Sequence, residues 1–104
     1  MKTVYFTITG VHHYFGTDFM KEGMKVNLVK EPDNKADKEA IKVEMPGLGL
    51  VGYVANSPHS VRGESMSAGR MYDKIGKTAA GMIKYVLPNF VICELVEENE
   101  HADE

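Results

Sequence analysis

Two short stretches hold most of the side chains that could do chemistry. The first is Gly10-Val11-His12-His13-Tyr14-Phe15-Gly16, two imidazoles and two aromatic rings between glycines. The second is Glu31-Pro32-Asp33-Asn34-Lys35-Ala36-Asp37-Lys38, a polar turn with alternating charge. Metal chemistry is the first suspicion for a His-His pair. Adjacent residues on an extended loop point in opposite directions, so the pair is a poor chelate. His59 and His101 are isolated, and a structural zinc site needs four protein ligands at defined spacing. The expectation is no metal and no cofactor. Asp33 and Asp37 could serve as paired carboxylates, but turn acids beside Pro and Asn more often cap backbone amides. Cys93 lies in Val91-Ile92-Cys93-Glu94-Leu95 and reads as a small buried apolar residue, not a nucleophile. No nucleophile elbow or phosphate loop is present, so nothing demands an enzyme.

Stacking is the chemistry that the first stretch suits better. Rings on a loop, unlike rings on the inner face of a strand, cannot all be core. Exposed rings beside basic residues are how proteins hold unpaired nucleobases. The plainer alternative has Tyr14 and Phe15 covering the end of a sheet while the histidines face water. Charge gives modest support. The formal net charge is −3, yet the last eight residues, Glu97 to Glu104, hold five acids and no Lys or Arg. The body without them is slightly basic, and Arg62, Arg70, Lys74, Lys77 and Lys84 face only Glu64 and Asp73 in their sector. That sector is compatible with an anionic partner and equally with an ordinary mixed surface.

The elements that must position these groups are strands. Thr3 to Thr9 alternates Val4, Phe6 and Ile8 against Tyr5, Thr7 and Thr9. Phe19 to Gly23 reads as a short helical or tight turn. Met24 to Val29 is a second strand, stopped at Glu31-Pro32 because proline lacks an amide hydrogen and holds its predecessor extended. Asp33, Asn34 and Asp37 supply turn chemistry. Ala40 to Met45 alternates Ile41, Val43 and Met45 against Lys42 and Glu44, the period of a half-buried strand. Pro46 to Gly49 turns the chain into Leu50-Val51-Gly52-Tyr53-Val54, where Gly52 signals a bulge or a close backbone approach. Ser57-Pro58 reads as a helix start, cut short by Gly63. Glu64 to Arg70 reads as loop and Met71 to Ile75 as a helical turn. Lys77 to Leu87 and Phe90 to Val96 are the last strands, with a possible bulge at Gly81.

The sum is mainly β: a small OB-like or SH3-like barrel of about six strands with one or two short helices, closed because a chain this short must manage its sheet edges. One domain over residues 1–96 and a flexible acidic tail over 97–104 are expected. No apolar run reaches membrane-spanning length, the start lacks the pattern of a signal peptide, and a single cysteine fits a reducing cytoplasm.

The central stretch also resembles the HIRAN family. Leu28, Lys30, Glu31, Pro32, Asn34, Asp37, Ala40, Ile41 and Val43 fall at that family's spacings, followed by Gly52-Tyr53-Val54. The Gly10–Gly16 loop is similar to its first loop, and the likeness runs over about residues 4–95. The resemblance implies an OB-like barrel with a pocket for the 3′ end of single-stranded DNA, in a module that stands alone or is joined to helicases or nucleases. It further implies a terminal base held between two rings and a 3′-hydroxyl bonded to an Asp. By position that Asp is Asp37 and the first ring is His13, with Tyr14 beside it. His12 takes a basic position, Tyr53 a polar one, and the second ring falls on Ala36. Asn34 of the same turn is a further candidate contact, and Lys30, Lys35 and Lys38 flank the turn and could meet phosphates. Two other readings stay open: a protein-interaction module on the same barrel that has lost the end pocket, and an enzyme or metal protein centred on His12, His13 and Asp37.

Overall fold

The computed structural model describes residues 3–97. Six strands form a closed antiparallel barrel: β1 (Tyr5–Thr9), β2 (Lys25–Lys30), β3 (Ile41–Met45), β4 (Gly49–Val54), β5 (Thr78–Val86) and β6 (Val91–Glu97). Around the barrel they run β1-β4-β3-β2-β5-β6. One short helix, α1 (Ala68–Tyr72), and one 3-10 turn (Val11–His13) complete it. The acidic tail expected beyond Glu97 lies outside the described residues.

Alternation explains the strands. In β3 the side chains of Ile41, Val43 and Met45 are buried while Lys42 and Glu44 are half-exposed. Phe6, Ile8, Val26, Leu28, Ile41, Val43, Val51, Ile83, Val91 and Cys93 form one core, to which α1 adds Ala68 and Met71. Each fully buried large aliphatic contributes about 1.5–3 kcal/mol relative to exposure. Thr7 departs from alternation and is buried as well. Its outer face is covered by the segment after β4: Arg62 N–H donates to Thr7 Oγ1 at 3.2 Å, and Ala55 N–H donates to the Thr7 carbonyl at 2.8 Å.

Two glycines permit the curvature. A Cβ on Gly52 would sit 2.6 Å from an Ile8 methyl and 2.8 Å from the Thr9 carbonyl. The β3–β4 register also slips here, Val43 facing Gly52 while Glu44 faces Leu50, so Gly52 is both a close approach and the neighbour of a bulge. A Cβ on Gly81 would sit 2.7 Å from the Phe6 ring. The expected slip near Gly81 occurs between Ala80 and Gly81, with the extra residue on β6: Ala80 faces Glu97 and Gly81 faces Leu95.

Three expectations are corrected. The first loop is not extended; it enters a 3-10 turn at Val11, whose side chain is fully buried and anchors the loop. Ser57-Pro58 does not start a helix. The Ser57 carbonyl takes the Ser60 and Val61 amides in one turn, after which the donors of Arg62 and Met66 go to β1. The helix forms instead at Ala68–Tyr72, partly inside the stretch read as loop, where Ser67 caps it by accepting from the Arg70 amide at 3.3 Å.

Candidate nucleic-acid interface

The turn between β2 and β3 is built by its own side chains. Glu31 N–H donates to the Ala40 carbonyl at 2.9 Å, closing the ten-residue excursion at its base. Inside it, Asn34 N–H donates to the Glu31 carbonyl at 3.0 Å and Ala40 N–H to the Asp37 carbonyl at 3.1 Å, two successive tight turns. Asn34 Oδ1 accepts from the amides of Ala36 (2.9 Å) and Asp37 (3.0 Å), and its Nδ2 donates to Glu31 Oε1 at 2.8 Å. Asp37 Oδ1 accepts from the Glu39 amide at 2.9 Å, as a turn acid does.

Two further bonds join this turn to the next strand. Tyr53, on β4, donates its hydroxyl to Glu31 Oε1 at 2.8 Å. Asn56, just past β4, donates Nδ2 to Asp37 Oδ2 at 2.8 Å. The bonds from Asn34 and then Tyr53 hold the Glu31 carboxyl below its ordinary value. The same Glu31 bond, with smaller contributions from burial, the Glu31 charge and Tyr14, pushes the Tyr53 phenol up to about 12.

Between turn and strand lies an open cleft of about 470 Å3. Asn34, Ala36, Asp37, Tyr53, Asn56, Ser57 and Ser60 line it, with Ala40 and Val54 at its apolar floor. The lining holds one carboxylate, neutral donors and acceptors, and no Lys or Arg. Asp37 makes no ion pair among the described residues.

The structure therefore brings together Asn34, Asp37 and Tyr53 of the expected site residues and sets others apart. His12 and His13 sit on the 3-10 turn, exposed, with Tyr14 and Phe15 also exposed after it. His12 Nε2 lies 3.1 Å from Asn89 Oδ1, tying the loop to the β5–β6 turn. Thr9, which leads into the loop, pairs with Tyr53, so the loop lies beside the cleft, and none of its residues is in the lining. Lys35 and Lys38 are exposed on the turn and outside the lining. Lys30 is occupied over the Tyr72 ring, 4.4 Å from its centroid. Asn56 reads in the sequence only as a neighbour of the helix-start signal at Ser57-Pro58 and not as a site residue. Its only signal was an amide just beyond a strand, and its partner stands nineteen positions away. Among the described residues no group of three or more His, Cys, Asp or Glu could hold a metal ion. Cys93 is fully buried, and burial pushes its thiol up to about 12.

The HIRAN domain family model matches residues 1–61, more than half of the chain, spanning β1 to β4, the first loop and the turn. The chain belongs to the HIRAN family. HIRAN domains are known as DNA-binding modules and not as catalysts. The crystal structure of the HIRAN domain of human HLTF is similar in fold, with a TM-score of 0.64 at 19% identity, covering 89% of this chain and 72% of that one. No curated protein sequence matches the chain. The fold likeness extends past residue 61, so the last two strands complete a HIRAN barrel although their sequence lies outside the family model. No helix among the described residues is long and apolar enough to cross a membrane.

Proposed function

We propose that this HIRAN domain binds the 3′ end of a single DNA strand, with Asp37 accepting the hydrogen bond of the terminal 3′-hydroxyl. The observation that carries the reading is the Asp37 carboxylate itself. Each oxygen already accepts one chain N–H, which aims the group, and each keeps a second acceptor site for a ligand in the cleft it lines. A carboxylate in a cleft with no cation favours a hydroxyl donor over a phosphate.

The terminal base would lie against His13 and Tyr14 from the first loop. Ala36 offers no ring on the other side, so the base is stacked on one face only. Base–aromatic stacking contributes about 1–3 kcal/mol per base, and the missing face lowers affinity by a part of that. Lys35 and Lys38 stand outside the cleft where the strand's phosphates would pass. The domain would then serve a helicase or nuclease by holding the end on which such an enzyme works.

A titration of 3′-hydroxyl and 3′-phosphate single strands at two salt concentrations tests the reading. The expected result is tighter binding of the hydroxyl end, lost in Asp37→Ala, over a salt-dependent background from phosphate contacts. Equal affinity for both ends at low salt, or for blunt duplex, would sink it.

A second reading rests on a different face. Tyr85 is 62% exposed on β5, and Tyr5, Tyr85, Phe90 and Ile92 line a cleft of about 410 Å3 beside it. Arg62, Glu64 and Ser65 also line it, with Arg62 over the Phe90 ring, and such a mixed aromatic and polar surface suits a protein partner.

A further inference from the structure

We infer that Asn56 is the positioning residue of the cleft, fixing the Asp37 carboxylate for a terminal hydroxyl and tying it to α1. The inference rests on the 3′-end reading and assigns the part of it that lies outside the turn. Asn56 bonds at both ends of its amide. Nδ2 donates to Asp37 Oδ2 at 2.8 Å, and Oδ1 accepts from the Gly69 amide at 2.7 Å. The second bond decides the orientation of the first. A backbone N–H can face only the amide oxygen, so the NH2 must face Asp37; the flipped amide would set donor against donor.

The mount is rigid. Ala55, the residue before, donates its amide to the Thr7 carbonyl at 2.8 Å and accepts from the Ala68 amide at 2.9 Å. Asn56 is thus held by β1 and by the first turn of α1 before its side chain reaches the cleft. Gly69 makes room for this. A Cβ there would lie 2.6 Å from Glu39 Oε1 and 3.2 Å from Asn56 Oδ1. Glycine in a helix costs about 0.5–1 kcal/mol against alanine, and here the missing methyl lets helix, amide and turn meet. With Glu39 N–H on Oδ1 and Asn56 on Oδ2, the carboxylate cannot swing, and its remaining acceptor sites have one orientation.

A residue acting through Asp37 predicts a particular pattern. Fluorescence anisotropy with a short oligothymidine, ending in 3′-hydroxyl or 3′-phosphate, reads it directly. Asn56→Ala should weaken the hydroxyl end about tenfold and barely change the phosphate end, since one oriented charge-assisted bond is lost. The salt dependence should not move, because no phosphate contact is removed. In the double variant Asp37→Ala/Asn56→Ala, affinity should equal that of Asp37→Ala alone. Gly69→Ala keeps every polar group but displaces the Glu39 side chain and crowds the Asn56 oxygen, so it should lower the hydroxyl-to-phosphate ratio.

Additive losses in the double variant, or an unchanged end ratio in both Asn56→Ala and Gly69→Ala, overturn the proposal. If Asn56→Ala melts below the assay temperature, the Gly69→Ala ratio decides alone. Wild-type protein that does not distinguish the two ends overturns the 3′-end reading and this proposal with it. Discrimination that depends on Asp37 but not on Asn56 overturns this proposal only.

Discussion

In the turn between β2 and β3, the side chains of Asn34 and Asp37 make five hydrogen bonds within the chain. In the loop after β1, the rings of Tyr14 and Phe15 are 40% and 52% exposed, and the one side-chain bond is His12 to Asn89 at the surface. The contrast follows from what each region would have to do. A hydrogen-bond acceptor must be aimed, and aiming is done by neighbouring donors. A stacking ring presents a broad face that tolerates slack, so it needs only a loop anchored at one buried residue, here Val11. Removing a bonded side chain of the turn should therefore change stability and binding together, and substitutions that add or remove a ring at an exposed position should change binding alone.

Asp37→Ala should give the largest effect. It leaves the Glu39 amide and the Asn56 amide without their acceptor, costing about 2 kcal/mol in urea unfolding, and removes 3′-end preference in the same protein. A variant that loses binding with unaltered stability would break the contrast. Ala36→Tyr moves a ring onto the turn. It should tighten single-strand binding by about 1.5 kcal/mol, measured by anisotropy, with stability within about 0.5 kcal/mol of wild type, since residue 36 is exposed. His13→Ala should weaken binding by about 1 kcal/mol and leave the melting curve in place, the mirror image of the Asp37 result.

The smallest effects lie in the Tyr53–Glu31 pair and appear only at the extremes of pH. The Tyr53 phenol is raised from 10.0 to about 12, so its bond stabilises the folded chain fully below pH 10 and that contribution fades as pH rises towards 12. Glu31 is lowered from 4.5, so its contribution is present above that value and fades as pH falls below it. Tyr53→Phe should flatten the alkaline limb of a stability–pH curve. The acid limb should largely remain, because Asn34 is the larger cause of the Glu31 shift. Asn34→Ala should do the reverse, which separates the turn's own bonds from those that reach it from β4.

The barrel was legible because apolar and charged residues alternate where one sheet face is buried, as at Ile41 to Met45. Thr7 could not be read as buried, because what covers it arrives from Arg62, fifty-five residues on. For the same reason Ser57-Pro58 misled: its local helix signal was sound, but β1 takes the backbone donors downstream. The start of helix α1 was placed three residues late, at Met71, because Ala68-Gly69 is a weak helix start that Ser67 and the core contacts of Met71 rescue. At the site, the roles of Asn34 and Asp37 as turn caps were visible, since those bonds span two or three residues. The Tyr53–Glu31 and Asn56–Asp37 bonds were not, because they depend on how β4 lies beside the turn. The same holds for Lys30, whose ammonium is drawn over a ring on α1.

β1 meets β4 through two residue pairs, Ile8 with Val54 and Thr9 with Tyr53, reinforced by the Ala55 amide on Thr7. Such a seam is where a closed barrel breathes first, and amide hydrogen exchange there reports local opening rather than global unfolding. Thr9 leads directly into the ring-bearing loop, while Tyr53 is tethered to the turn. Each opening of the seam thus parts the two halves of the interface. A strand end bound across both would act as a clasp, and exchange at Thr9 and Tyr53, the hydrogen-bonded pair of the seam, should slow in proportion to the ligand added, well before any change at the buried amides of β2.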